Sequence, residues 1–214
     1  MTQIGRGWQY RVYDAGQGRV VKIYQNDFDR FVKFFFSRDS GSERYNLKCS
    51  LRKVREFNEW TRQSIMDLKK NLALIPPPLL GNPVFKGELN YEQDAATPLG
   101  KYIATHSLEE NKKIIQGYAV MILELWKYGL SDGYYNFMLN CGVDKEGRVI
   151  QLDLGDFIFE REVIETHISF KMWITHSDSY YTMKEGELKE FYKDEMNRLL
   201  TLDNLDKNWR SAIQ

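Results

Sequence analysis

Gly5-Arg6-Gly7, Lys22, Glu56 or Glu59, and then Asp132, Asn136, Asn140 and Asp153 follow one another along this chain in an order suited to phosphate chemistry. Gly5 and Gly7 sit at the tip of a strand pattern, where backbone amides can approach phosphate oxygens with no Cβ in the way. Taken alone, such a pair is more often an ordinary turn. Lys22 follows Val20-Val21 on the next strand pattern. It can point into a cleft and hold the α- and β-phosphates of a nucleotide, or lie on the surface. A lysine used in that way wants an acidic partner from a neighbouring helix, to fix its ammonium and keep it protonated. Glu56 and Glu59 lie three apart and can share a helix face, so either is a candidate partner and either suits a solvated face equally well.

The third group is the most specific. Asp153 ends an apolar strand pattern, Ile150-Gln151-Leu152, and precedes Leu154-Gly155, which poises a carboxylate at a strand end. Asn140 and Asp153 bracket the polar turn Asp144-Lys145-Glu146-Gly147, so antiparallel pairing brings them towards one point. A carboxylate plus an amide oxygen is a hard-oxygen pair, suited to a magnesium ion that keeps waters and phosphate oxygens as its other ligands. Asp132 is the one acidic residue between Glu124 and Asp144, and so the nearby candidate for an acceptor-side base. Hairpin ends also carry structural Asn and Asp.

Those residues need elements to hold them. Residues 4–24 read as a β-hairpin turning at Gly16 and Gly18. A helix pattern runs from Asp27 to Phe36, and 37–42 is a loop by composition. A longer helix follows, with Ser42 or Ser50 as its cap and Pro76-Pro77-Pro78 as its end. A second hairpin turns near Gly87, and Ile114, Ile115, Tyr118, Met121, Ile122 and Leu125 give the segment from Leu108 a broad apolar helical face. Residues 136–157 read as a third hairpin, and the remainder is mostly helical, with 187–200 the clearest segment. Strands are grouped rather than alternating singly with helices, which disfavours a Rossmann sheet or a barrel and predicts an α+β fold. A boundary near Ala95–Pro98 divides the chain into 1–95 and 96–214.

Thirty basic residues balance thirty acidic ones, so no net field favours nucleic acid or an anionic membrane. Two cysteines are too few for a disulfide scaffold, and three scattered histidines do not space a zinc site. No apolar run reaches membrane-spanning length, and the first residues lack a signal-peptide pattern. These features predict a reducing, cytoplasmic setting; a secreted effector without a cleavable signal is also compatible with them.

Taken together, the motifs resemble the protein-kinase-like superfamily. GRGWQYRV resembles its glycine-rich loop, VVK its third-strand lysine, REFNEW its glutamate-bearing helix and LDLG its DFG triplet, over roughly residues 4–160. The resemblance implies a two-lobed fold: a β-rich N-lobe over 1–95 and a mainly helical, shortened C-lobe over 96–214. It also implies ATP and Mg²⁺ as cofactors. Departures are visible. Tyr10 replaces the third glycine, and the text YGLSDGYYNFMLN has no His-Arg-Asp match. In the family the catalytic Asp precedes the metal Asn by five positions; Asp132 precedes Asn136 by four and Asn140 by eight. The family's metal Asn lies thirteen before the DFG Asp, as Asn140 does before Asp153, which favours Asn140 over Asn136. Sixty-one residues follow Asp153 and contain no Ala-Pro-Glu, so the chain resembles compact, atypical bacterial-type kinases or small-molecule phosphotransferases.

Three functions fit these residues. The first is an ATP- and Mg²⁺-dependent phosphotransferase, with nucleotidyl transfer on the same scaffold as its neighbour. The second is a kinase-like binding module without transfer, and the third an unrelated α+β interaction protein. No recognition motif identifies the acceptor.

Overall fold

The computed structural model describes residues 1–36 and 47–210. Its architecture is α+β with antiparallel sheets, as the grouping of strands predicts. The first unit is a five-stranded antiparallel sheet in the order β1-β2-β3-β5-β4, formed by β1 (Gln3–Arg6), β2 (Tyr10–Gly16), β3 (Arg19–Tyr24), β4 (Val84–Phe85) and β5 (Tyr91–Asp94). Helices α1 (Asp27–Phe36) and α2 (Leu47–Asn71) pack on one another beside it. The chain leaves this sheet at Asp94 and enters another at β6 (Thr97–Pro98), which pairs with β8 (Cys141–Val143).

The remainder is built around α4 (Leu108–Trp126). Its start is fixed by a capping box, in which Ser107 Oγ accepts from the Glu110 amide and the Glu110 carboxylate accepts from the Ser107 amide. Its apolar face places Ile115, Tyr118, Ile122, Leu125 and Trp126 fully out of water, packed against α9 (Glu187–Leu199), α10 (Leu202–Asn208) and β9 (Val149–Gln151). Two short strands, β7 (Ser131–Asp132) and β10 (Phe157–Ile158), pair antiparallel and bring Asp132 opposite Phe157.

Four local expectations change. The first hairpin is three strands, because the chain folds back at Gly7, whose amide donates to Tyr10 O at 2.8 Å, and β1 returns along β2. Ser50 lies inside α2 and is buried, so it does not cap the helix; Ser42 falls outside the described residues. Helix α2 ends at Asn71, before the prolines, where Asn71 Nδ2 donates to Asp67 O at 2.9 Å. The prolines instead form a tight turn over Pro77–Leu80, closed by Gly81 at φ 64°. Finally, Phe137–Asn140 is a single helical turn, α5, and the hairpin begins only at Cys141. The apolar text Phe137-Met138-Leu139 fits strand or helix, and the Asn140 amide settles it by donating to Asn136 O at 2.8 Å.

Candidate functional site

The two units meet along the segment Gln151–Asp156, and polar side chains of the five-stranded sheet reach its backbone. Tyr91 Oη donates to Leu152 O at 3.0 Å and accepts from the Leu154 amide at 3.3 Å. Gln93 Nε2 donates to Gln151 O at 2.7 Å. Lys22 Nζ donates to Leu152 O, with its ammonium 5.4 Å from the centre of the Tyr91 ring. Lys22 therefore points inwards, as its place between Val21 and Ile23 allows. It is 7% exposed, and burial lowers its pKa to about 8, partly offset by Asp153.

Neither Glu56 nor Glu59 reaches it. Both are exposed, and Glu56 pairs with Arg52 at 3.7 Å. The helical period explains why: Val54, Thr61, Ile65 and Leu68 make the buried face of α2, and Glu59 lies about 160° and Glu56 about 140° away from Thr61 around the axis. That small and apolar face was legible in the sequence and argues against the glutamates. In their place α2 contacts the site through Ser64, whose Oγ accepts from the Phe157 amide at 2.9 Å. The carboxylate nearest to Lys22 in effect is Asp153.

Asp153 stands at the end of β9, with Oδ1 accepting from the Gly155 amide at 3.2 Å. Burial raises its pKa while Lys22 lowers it. Asn140 reaches the same place: its backbone oxygen accepts from the amides of Leu152 and Asp153 at 2.7 and 3.1 Å, and its side chain is buried. Asn136 does not. Its Oδ1 accepts from the Ser179 amide at 3.3 Å, on the far side of the helical turn, where α8 (Asp178–Thr182) begins. The two asparagines are separated by one helical turn and not by the extended span that the strand reading implied.

Asp132 is fully buried. Its Oδ1 accepts from the amides of Tyr134 and Tyr135 at 3.0 and 3.1 Å, and its Oδ2 accepts from Tyr118 Oη at 3.1 Å. Burial raises its pKa, and Asp153 adds to the rise. Three donors leave one of a carboxylate's approximately four lone-pair sites open. Tyr134, Tyr135 and Gly133 also border a groove of about 290 Å³, closed on its other sides by residues that include Trp60, His167 and His176.

Gly5 and Gly7 form the turn side of β1–β2 without crowding. A Cβ on Gly5 would meet Val12 at an ordinary 3.6 Å, and one on Gly7 would meet Tyr10 O at 3.8 Å. Packing therefore does not demand glycine at either position. Tyr10 is 3% exposed and packs edge-on against Tyr24 and Tyr91 at ring distances of 5.5 and 5.1 Å. Its ring anchors the base of the loop in the core.

Two functional candidates escaped the sequence reading. Asp156 accepts from Gln9 Nε2 and, at 3.2 Å, from Asn140 Nδ2. Its pKa is raised well above the ordinary carboxylate range by burial, then by Asp153 and Asp132. Gln9 is 2% exposed and sits against Gly155. The acidic spacing Asp153-Leu154-Gly155-Asp156 was a visible signal; the reach of Gln9 across the chain was not. A side chain on Gly155 would collide with Gln9 Oε1 and lie 2.9 Å from Thr61 Cγ2. Gly155→Ala is expected to destabilise the fold by about 1–3 kcal/mol in urea unfolding, the cost of overpacking a tight contact.

Among the described residues no three His, Cys, Asp or Glu side chains converge as a metal site by themselves. One carboxylate and one amide oxygen nevertheless match a magnesium ion whose remaining ligands come from phosphates and water. Asp132, Asp153 and Asp156 gather negative charge here, Asp153 raising the pKa of both others and Asp132 adding to the rise at Asp156, which is the electrostatic complement of such a cation.

No protein-family model matches the chain, and no curated protein matches it. Among solved structures, the medium-resolution structure of the bifunctional kinase-methyltransferase WbdD is similar, with a TM-score of 0.44 and 12% identity. The match covers 96% of this chain and 44% of the other, so this chain spans less than half of that protein's length. No helix among the described residues is long and apolar enough to cross a membrane.

Proposed function

We propose that the chain is a Mg²⁺- and ATP-dependent phosphotransferase of kinase-like architecture, with residues 1–95 as the nucleotide-side lobe and 96–214 as the acceptor-side lobe. The observation that carries this reading is the convergence of Lys22, Asn140 and Asp153, from three separate elements, on the segment between the two units. Magnesium, when bound, neutralises charge on the transferring phosphates. Lys22 exchanges Leu152 O for phosphate oxygens, whose charge favours its protonated form. Asp153 and Asn140 hold the metal through oxygen, and the turn around Gly5–Gly7 covers the phosphates. Asp132 orients the acceptor hydroxyl through its remaining lone pair. Its raised pKa suits a proton acceptor, since a base works best with a pKa nearer the working pH. The aromatic groove beside Tyr134 and Tyr135 is where the acceptor approaches.

Two variants separate the roles at the acceptor side. Asp132→Asn keeps an oxygen for the Tyr134 and Tyr135 amides, so it is expected to remain folded by circular dichroism while transfer drops about 10²-fold or more, the range of general-base effects. Wild-type turnover in Asp132→Asn would reduce Asp132 to a loop anchor. On the metal side, Asn140→Ala is expected to raise the magnesium concentration needed for ATP turnover, and Asn136→Ala to leave it unchanged. The reverse result would reassign the ligand.

Nucleotidyl transfer uses the same residues and is separated from phosphoryl transfer by which phosphate of ATP reaches the acceptor.

A further inference from the structure

Asp156 follows the Asp153-Leu154-Gly155 triplet directly and has no place in the reading above. Its carboxylate accepts from two amide side chains of distant origin. One is Gln9, from the turn that carries Gly7, 147 positions away; the other is Asn140, from the end of α5, 16 positions away. All three side chains are buried, at 7%, 2% and 8% exposure for Asp156, Gln9 and Asn140. The Asp156 backbone oxygen also accepts from the Gly133 amide at 2.9 Å, next to Asp132. A single residue thus touches the phosphate-side turn, the metal-side asparagine and the acceptor-side loop.

The chemistry of the contact fixes a direction. Both Asp156 oxygens accept, Oδ1 from Gln9 Nε2 and Oδ2 from Asn140 Nδ2, and an ionised carboxylate can only accept, so the amide end that faces the ionised group is NH₂. Asn140 therefore presents Nδ2 to Asp156 and directs Oδ1 elsewhere. An asparagine that is to bind a hard cation must offer oxygen and not nitrogen, and a free asparagine can turn either way. The same constraint holds for Gln9, whose Oε1 is buried and has no hydrogen-bond partner among the described residues. Its amide is held by Asp156 at the cost of leaving that oxygen unpaired, a sign that the Asp156 contact dominates its orientation.

We infer that Asp156 is a positioning residue: its carboxylate sets the Asn140 amide with oxygen free for the metal, and ties the phosphate-side turn to the metal side through Gln9. The inference rests on the assignment of Asn140 and Asp153 to magnesium. Asp156 need not touch the metal or the nucleotide. Its effect on metal affinity passes through Asn140, and its effect on the turn passes through Gln9.

The test is equilibrium binding of a non-hydrolysable ATP analogue, by calorimetry, in excess Mg²⁺ and again in EDTA, with no turnover required. The proteins are wild type, Asp156→Asn, Asn140→Ala, their double variant, and Gln9→Ala. Asp156→Asn is of equal size and removes a buried charge among other carboxylates, so it is expected to fold. Its one amide oxygen can still accept from Gln9 Nε2, which keeps the turn in place and affinity in EDTA within about twofold. Its NH₂ then faces Asn140 and no longer holds that amide with oxygen free, so the Mg²⁺-dependent gain in affinity is expected to fall about tenfold. Because Asp156 acts through Asn140, the double variant is expected to match Asn140→Ala alone. Gln9→Ala is expected to change affinity in EDTA and to keep the Mg²⁺-dependent gain. Asp156→Asn with the full wild-type gain overturns the inference. So does a double variant that loses the two single effects in sum, which would make Asp156 an independent ligand. A wild type that binds no nucleotide under either condition would instead refute the proposed function, and the two failures are therefore distinguishable.

Discussion

Lys22→Met is expected to lower phosphoryl transfer by about 10²–10³-fold and at the same time to leave the protein as stable as wild type or more stable. The two effects have one physical origin. Lys22 is buried with its pKa lowered to about 8 from an ordinary 10.5, so holding its charge in the folded state costs roughly 3 kcal/mol at neutral pH. Methionine fills a similar volume without that charge, at the loss of one hydrogen bond to Leu152 O. The sign of the pH dependence follows. Between about 8 and 10.5 the unfolded chain holds the proton that the folded chain has released, so this group makes wild-type stability rise with pH across that window. Lys22→Met lacks the rise. Denaturant unfolding of both proteins at pH 7 and pH 10 measures it: the advantage of the variant at pH 7 is expected to shrink at pH 10. A lysine whose only role was structural would give the opposite result at pH 7, with the variant clearly destabilised. Transfer, by contrast, loses a positioned charge on the phosphates, worth about 10²–10³-fold.

Asp153→Asn is the second large effect. The carboxylate has its pKa raised by burial and lowered by Lys22, and it is among the groups that raise Asp156 and Asp132. Replacing it with an amide removes repulsion from the two other carboxylates and attraction to Lys22, so the change in stability is expected to be small. Transfer is expected to fall by about 10²–10³-fold, because an amide cannot supply the metal with the anionic oxygen that a carboxylate gives. The wild-type carboxylates also predict a response to acid. Their folded pKa values lie above the unfolded ones, so their protonation favours folding, and the stability it brings is lost as pH rises through the raised values. A bound cation replaces that proton. Magnesium nucleotide is therefore expected to raise the melting temperature more at pH 7 than at pH 5, where protons already offset the repulsion.

The parts of this site legible in the sequence were those carried by short-range pattern. Lys22 faces inwards because strand alternation put it there, and Asn140 and Asp153 meet because the turn over Asp144–Gly147 sets their register. The resemblance to kinase motifs added the order of the parts. What failed depended on a face or on a distant partner. Glu56 and Glu59 sit on the exposed side of α2, a fact set by the helical period of Val54, Thr61, Ile65 and Leu68 and not by the glutamates themselves. Phe137–Asn140 is a run too short for period to separate strand from helix, so the sequence does not set the span between Asn136 and Asn140. Gln9 and Asp156 lie far apart in the chain, and no local pattern announces a polar contact between them.

Lys22 and Asp153 are the residues on which transfer of the terminal phosphate of ATP is proposed to depend. That dependence is tested most directly by incubating the protein with Mg²⁺ and ATP labelled either at the γ- or at the α-phosphate, together with a cell extract as the source of acceptor. Wild type is expected to move γ-label and not α-label, and Lys22→Met and Asp153→Asn are expected to move γ-label about 10²–10³-fold more slowly while remaining folded. Movement of α-label would make the chain a nucleotidyl transferase, and γ-transfer undiminished in either variant, or none by a wild type that binds no ATP, would contradict the account.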